Sequence, residues 1–338
     1  MDILQNYSLK ALNTFGLDAR ARYFANLKDQ RELFDLFQSG IIEKQNYFVL
    51  GGGSNVLFTS DFDGLILKIN NQKIRRLDET DEYTFIEADA GVNWHNFVEY
   101  TLNGMLGGLE NLSLIPGNVG AAPIQNIGAY GVEQEALFSH LKAFDLGTGR
   151  IKEFKKEECS FGYRDSIFKS KLKGRYLILS VVYRFSRRHQ PNIEYAPLKA
   201  AFSDEEKKTL NIKRISEIVC DIRRSKLPDP ETTGNAGSFF KNPVIDRETF
   251  LSLRGKYKQM PAYQLDEEKV KVPAGWLIEQ CGWKGKRIGN AGVHDRQALV
   301  LVNYGSASGK EIYALSESIK NDVNEKFGIS LEREVNVI

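Results

Sequence analysis

A glycine-rich turn with two polar residues behind it stands early in the chain, at Gly51, Gly52, Gly53, Ser54 and Asn55. Glycine adopts backbone conformations that are closed to other residues, so several N–H groups of such a turn can face one anion. The pattern therefore favours phosphate binding. It is not the dinucleotide fingerprint G-x-G-x-x-G, because Val56 stands where the third glycine belongs and a strand is predicted to follow. An ordinary glycine hairpin remains the alternative.

A second loop, residues 108–131, is long, poor in charge and rich in Gly, Ala, Asn and Pro. Small residues let the main chain approach a ligand closely, and the amides of Asn118, Gln125 and Asn126 could hydrogen-bond a flavin ring or its diphosphate. A tightly packed, turn-rich core segment is the other interpretation of this stretch.

The elements that would position these loops alternate between helix and strand. Apolar spacing predicts a helix over residues 21–40, a strand, a glycine turn and a second strand over 46–58, and a helix over 94–103. Short strands are predicted at 141–145, 151–154 and 176–185. The first two thirds of the chain are thus predicted to be α+β.

The last third is predicted to form a separate α+β domain. A charged amphipathic helix from residue 207 ends at Pro228, which marks a candidate boundary. Beyond it, the sequence predicts a glycine-rich turn at 232–243, a helix at 275–281, a strand at 297–303, a helix at 308–327 and a strand at 331–338.

Composition excludes several classes of partner and site. Lysine and arginine (46) nearly balance aspartate and glutamate (44), so no nucleic-acid or anionic-membrane partner is expected. No signal-peptide pattern and no long apolar run is found, which predicts a cytoplasmic protein. Three widely spaced cysteines are predicted to be reduced and buried, and four histidines without ligand spacing predict no metal site. With balanced charge and no evident apolar stripe, a monomer is expected.

Seven motifs together resemble the UDP-N-acetylenolpyruvoylglucosamine reductase family over essentially the whole chain. They are LGGGSN at 50–55, SLIPGNVGAAPIQNIGAYG at 113–131, FGYRDSIFK at 161–169, KLPDP at 226–230, GNAGSFFKNP at 234–243, AGWLIEQCGWKG at 274–285 and LEREV at 331–335. Tyr195 in IEYAPL and the KLPDP motif are similar to the first of the family's two types.

The resemblance implies a fold and a division of the chain. It implies a two-part FAD-binding domain of the vanillyl-alcohol-oxidase (PCMH) type and a C-terminal α+β substrate-binding domain. Residues 1–70, joined by the strand at 329–338, would form the first FAD-binding subdomain. Residues 71–222 would form the second, and residues 223–328 the substrate-binding domain.

The resemblance also implies a reaction in peptidoglycan synthesis. In it, NADPH is the co-substrate, non-covalently bound FAD passes a hydride from N5 to an enolpyruvyl double bond, and the product is a UDP-linked muramic acid. By the family match, Arg164 binds the enolpyruvyl carboxylate, Ser238 donates the proton and Glu334 stabilises the developing charge. The absence of His and Cys from both glycine loops agrees with a non-covalent cofactor.

Binding residues are carried over in the same way. The expected cofactor contacts are Gly51, Gly52, Gly53, Ser54, Asn55, Pro116, Gly117, Asn118, Gly120, Gln125 and Arg223. The expected contacts to the UDP-linked amino sugar are Tyr195, Lys226, Asn242, Lys284 and Gln297.

Two other functions are compatible with the glycine loops. A flavin oxidase or dehydrogenase acting on an alcohol or a sugar uses the same cofactor fold, although the serine motif and Lys226 argue against it. A non-catalytic flavin or UDP-sugar binding protein would keep the loops and lose the set Arg164, Ser238 and Glu334, all of which are present.

Overall fold

A computed structural model describes residues 2–338, with the backbone alone for Lys208. The chain divides into two compact units that alternate along the sequence. The first comprises the segment up to Tyr7, Ala21–Gly53 and Phe62–Ser225, and the second comprises Ser8–Arg20, Ser54–Asp61 and Lys226–Ile338. The three-part division expected from the sequence stays a prediction.

The first unit contains a four-stranded sheet in the order Ile3–Ser8, Arg20–Leu27, Phe62–Ile69 and Tyr47–Leu50. Its last three strands are parallel, and the central one carries at residues 65–67 the apolar run expected of a strand buried on both faces. Helices follow at Gln30–Gln38, which Asp29 caps, and at Ile41–Lys44. The prediction of a helix over 21–40 is therefore wrong for its first part, where strand pairing overrides local propensity.

A second sheet in this unit has five antiparallel strands in the order Ile151–Lys155, Phe138–Asp145, Tyr176–Ser186, Tyr83–Asp89 and Ile74–Glu79. The strands predicted at 141–145, 151–154 and 176–185 are thereby confirmed. The helix predicted at 94–103 is confirmed as Trp94–Asn103, which begins where the Asn93 side chain accepts the Asn96 N–H.

Short elements complete the first unit. The loop at 108–131 contains single helical turns at Glu110–Leu112 and Val119–Ala121, and its end pairs as Gly128–Ala129 with Val132–Glu133. Helices lie at Ala196–Lys199 and Ile212–Lys226. The second begins later than the predicted residue 207, because the Asn211 side chain accepts the N–H groups of Lys213 and Arg214 and so caps it there.

The second unit is also α+β. One antiparallel sheet runs Gly234–Ser238, Val300–Asn303, Ala291–Val293 and Arg287–Ile288, another runs Val244–Asp246, Lys269–Lys271 and Tyr263–Gln264, and Val56–Leu57 pairs in parallel with Asn336–Val337. Its helices are Arg247–Lys256, Ala274–Gln280 and Gly309–Phe327.

The last two helices confirm the predictions at 275–281 and 308–327. Residues 234–238 form a strand inside the segment predicted as a glycine-rich turn, because they pair with residues 300–303. The strand predicted over 331–338 is confined to Asn336–Val337.

The cysteines are free thiols, and two of the three are buried as predicted. Burial raises the pKa of Cys159 to about 12, which keeps that thiol protonated and unreactive. Cys281 is partly exposed, so the prediction that all three are buried is wrong for this one. Within residues 2–338, no helix has the length and apolar character that a membrane crossing requires.

Candidate active site

In the first unit, the two glycine-bearing loops lie against each other. A Cβ atom on Gly52 would stand 2.7 Å from the Cα atom of Gly117 and 2.8 Å from Oδ1 of Asn118. Gly117 itself has φ +118°, a conformation that side chains disfavour. The predicted phosphate turn and the predicted flavin loop thus meet backbone to backbone, with no room for a side chain at their contact.

The second loop is fixed from behind by residues 90–94. Asn118 donates from Nδ2 to the Gly91 carbonyl at 2.8 Å, and the N–H of Gly120 donates to the Ala90 carbonyl at 2.9 Å. A Cβ atom on Gly120 would lie 2.5 Å from that of Ala90, so glycine is required there too. These hydrogen bonds hold the second loop in a fixed position beside the glycine turn.

Arg164 adopts φ +54°, which is rare for an arginine, and its Nη2 donates to the Gly128 carbonyl at 2.7 Å. Leu114, Asn126 and Tyr130 also have positive φ. Such conformations require support from the surrounding structure and concentrate at functional sites. The arginine motif and the end of the second loop are therefore joined in one strained cluster.

Tyr130 lies at the centre of this cluster. Its ring meets that of Tyr195 edge to face at 5.4 Å, and burial raises the pKa of its hydroxyl while the charge of nearby Arg223 opposes that shift. Nε of Arg223 donates to the carbonyl of Leu114 at 3.1 Å. Burial lowers the pKa of Arg223, and the charge of nearby Arg164 lowers it further. Two guanidinium groups held near each other favour an anionic ligand.

The remaining cofactor candidates have different environments. Pro116 is exposed and Gln125 is half-buried. Ser54 and Asn55 belong to the second unit, where Asn55 donates from Nδ2 to the Glu334 carbonyl at 3.3 Å and accepts the Asn336 N–H at 3.1 Å.

Ser238 ends a strand whose pairing is interrupted by a bulge. The register with the neighbouring strand shifts between Asn235 and Ser238, and Gly237 in between has φ +66° with open space around it. Bulges change the direction of a side chain relative to its sheet. The hydroxyl-bearing residue is accordingly exposed, whereas the following Phe239 is buried.

Backbone pairing brings the segment of Ser238 beside that of Glu334. The N–H of Phe239 donates to the Leu299 carbonyl at 2.8 Å, and the N–H of Glu334 donates to the Phe239 carbonyl at 2.9 Å. Phe240 and Arg333 form an isolated bridge in the same pairing. Within the second unit, Ser238, the predicted proton donor, and Glu334, the predicted charge-stabilising residue, therefore lie on adjacent segments.

Two substrate candidates lie at the start of the helix Ala274–Gln280. Oδ1 of Asn242 accepts the Ala274 N–H at 2.9 Å, and a Cβ atom on Gly275 would lie 3.2 Å from Oε1 of Gln297. Lys284 forms an ion pair with Glu279 at 3.0 Å, and Lys226 is the exposed last residue of its helix.

Three residues with evident structural roles were missed by the sequence reasoning. Tyr130 lies within a motif that was noted, and its neighbours Gly128 and Gly131 were the only signal available. Neither Lys68 nor Arg333 could be given a role from the sequence, because their contacts to Gly51 and to the helix Gly309–Phe327 arise only from the fold.

Comparisons with known proteins agree with this architecture. A family model described as "FAD binding domain" matches residues 22–155, and one described as "UDP-N-acetylenolpyruvoylglucosamine reductase, C-terminal domain" matches residues 229–338. The fold is similar to that of the UDP-N-acetylenolpyruvylglucosamine reductase of Thermus caldophilus, with TM-score 0.68 and 23% identity over 99% of this chain and 98% of that one. The fold and the matched domains define a flavin-dependent oxidoreductase.

Curated relatives narrow that class. The UDP-N-acetylenolpyruvoylglucosamine reductase of Amoebophilus asiaticus is 48% identical, and that of Flavobacterium johnsoniae is 47% identical, each over 100% of both chains. The chain belongs to the UDP-N-acetylenolpyruvoylglucosamine reductase family.

Proposed function

We propose that the protein reduces the enolpyruvyl group of UDP-N-acetylglucosamine enolpyruvate to give UDP-N-acetylmuramate for peptidoglycan synthesis in the cytoplasm. NADPH and one proton are consumed, and NADP⁺ is released, so that two electrons and two hydrogens are added across the carbon–carbon double bond. Full-length similarity to reductases with this substrate in their name is the observation that carries the proposal.

The residues around the glycine turn suit a bound FAD. The close contact of Gly52 with Gly117 leaves no room for a side chain on Gly52 where the two loops meet, and Arg164 and Arg223 add positive charge within the same unit. Bound FAD supplies the hydride transfer between NADPH and the double bond. Gly51, Gly53, Ser54 and Asn55 would then hold its diphosphate from the turn, and Pro116, Asn118, Gly120 and Gln125 would border its ring system.

Arg164 is proposed to bind the substrate carboxylate. Its bond to Gly128 and its fixed backbone hold the guanidinium before substrate arrives, so little orientation is lost on binding. A guanidinium pairs two carboxylate oxygens at once and stays charged as negative charge develops next to them. Arg164 would therefore bind the enolate formed in the reaction more strongly than the substrate.

Ser238 is proposed to donate the proton to the carbon next to the carboxylate. Its exposure at the end of a bulged strand leaves the hydroxyl accessible, and a weak acid of this kind depends on polar neighbours for the transfer. Glu334, on the adjacent segment, can stabilise developing negative charge only through a proton that it holds. The pairing through Phe239 supports joint action of the two residues.

Five residues are proposed to contact the uridine diphosphate end of the substrate. Lys226 would neutralise a phosphate as a point charge, and Tyr195 would cover the ligand with its half-exposed ring. Asn242 and Gln297 would donate from their amide nitrogens, since each oxygen already accepts a backbone N–H. Lys284 is the weakest of these candidates, because it already pairs with Glu279.

The test is an anaerobic pair of half-reactions. NADPH is added to the flavin-loaded protein until the flavin absorbance bleaches, and UDP-N-acetylglucosamine enolpyruvate is then added. Rapid return of the absorbance with this substrate is expected. Return of the flavin absorbance only with oxygen, or its bleaching by an alcohol or a sugar, would favour a flavin oxidase or dehydrogenase. Purified protein that binds no flavin would favour a non-catalytic binding protein.

A further inference from the structure

Lys68 lies directly beneath the glycine turn. It is the next-to-last residue of Phe62–Ile69, the central strand of three parallel ones, and pairs in register with Leu50, which precedes the turn. Its ammonium donates to the carbonyl of Gly51. Ligands of open parallel sheets bind at the carboxyl ends of the strands, which is where this contact is made.

Among the residues that the structure describes, no carboxylate pairs with the charge of Lys68. The side chain is half-buried, and burial lowers the pKa of its ammonium. Across residues 2–338, the contact to Gly51 is its one hydrogen bond, and no carboxylate forms an ion pair with it. Asn26, in register on the neighbouring strand, offers only a neutral amide oxygen. A cation removed from water without an anionic partner costs free energy that a bound anion would offset.

The geometry of the turn indicates how the charge of Lys68 can act on a ligand that binds to the turn. In a trans peptide the carbonyl and the following N–H point in opposite directions. Binding the Gly51 carbonyl from below therefore turns the Gly52 N–H to the other side. That N–H has no acceptor among the described residues. A cation on the carbonyl also polarises the peptide, which makes its N–H a stronger donor.

We propose that Lys68 is a positioning residue for the diphosphate of FAD, acting through the peptide that joins Gly51 to Gly52. The ammonium fixes the orientation of this peptide and supplies the positive charge that the backbone turn itself lacks. The inference rests on the flavin cofactor of the proposed function, but it does not depend on the substrate or on the assignments of Ser238 and Arg164.

The experiment measures FAD affinity, with no substrate or NADPH present. Apoprotein is titrated with FAD, and flavin fluorescence gives the dissociation constant for wild type, Lys68→Met, Lys68→Arg and the control Lys28→Met. Lys28 is exposed, just beyond the neighbouring strand, so its loss changes net charge equally. Lys68→Met is expected to weaken FAD binding about tenfold or more, Lys68→Arg much less, and the control not at all.

Two further readouts separate positioning from general destabilisation. The thermal midpoint of the apoprotein should not fall in Lys68→Met, because a half-buried charge without a counter-charge has been removed. FAD affinity should depend less on ionic strength in that variant. If Lys68→Met does not fold, Lys68→Gln replaces it, since it keeps a donor to Gly51 without the charge. The proposal would be overturned by unchanged FAD affinity in the neutral variant, or by a loss of affinity that a lower thermal midpoint of the apoprotein explains. Absence of turnover in wild-type protein that binds FAD normally would count only against the proposed reaction.

Discussion

Replacing Gly52 by alanine tests whether the two loops form the cofactor site. The new Cβ atom would stand 2.7 Å from the Cα atom of Gly117, about 0.7 Å short of the 3.4 Å at which ordinary contact begins. Neither side can retreat easily, because Gly117 has φ +118° and Asn118 is bonded to Gly91. Overpacking of this kind costs about 1 to 3 kcal/mol.

If the strain falls on the surface that holds FAD, the same free energy appears as a loss of FAD affinity of about 10- to 100-fold. Gly51→Ala is the matched comparison, since its Cβ atom would meet that of Ala121 at an ordinary 3.7 Å. Fluorescence titration of each apoprotein with FAD measures both losses, and circular dichroism checks folding. Equal FAD affinity for Gly52→Ala and wild type, or an equal loss in both variants, would show that the contact between the two loops does not form the cofactor site.

Three other substitutions test separate parts of the molecule. Ser238→Ala should leave reduction of the flavin by NADPH nearly intact and slow its reoxidation by substrate about a hundred- to ten-thousand-fold in stopped-flow traces, and equal slowing of both steps would contradict a proton donor. Arg333 donates to Ser316 at 2.9 Å and pairs with Glu317, so Arg333→Ala should lower the free energy of unfolding by about 1 to 2 kcal/mol in urea titrations. Because Arg333 precedes Glu334 and holds its segment in place, the same change should lower kcat more than it raises KM. Arg333→Lys should restore part of both losses. The pKa of Asp145 is lowered from 3.8 to about 2, mainly by a hydrogen bond from Arg175. The stability that this interaction gives is present above about pH 4 and is lost as the pH falls towards 2. In urea titrations of Asp145→Asn, the free energy of unfolding should therefore fall less than in wild type over this pH range.

Elements defined by local signals were predicted well from the sequence. The helix Trp94–Asn103 has a capping asparagine before it and apolar residues at helical spacing, all within one turn or two of each other. The strand Arg20–Leu27 was predicted as helix, because only its pairing with Phe62–Ile69, far along the chain, makes it a strand. Local patterns carry no information about such a partner.

The same distinction holds for the candidate site. The glycines at 51–53 and the motif around Ser238 are visible in the sequence, because glycine marks close approach and unusual backbone conformation. The lysine beneath the turn and the contact between Gly52 and Gly117 depend on which strands and loops become neighbours. Residues that act by packing or by through-peptide contacts need the fold before they can be recognised.

The most direct test of the proposed reaction is to identify its product. Flavin-loaded protein is incubated with NADPH and UDP-N-acetylglucosamine enolpyruvate, and the nucleotide sugar is analysed by mass spectrometry while NADPH absorbance is followed. We expect a product with two added hydrogens, formed in an amount equal to the NADPH consumed and absent when FAD is removed. NADPH consumption with unchanged sugar, or no consumption by a protein that binds FAD normally, would contradict it.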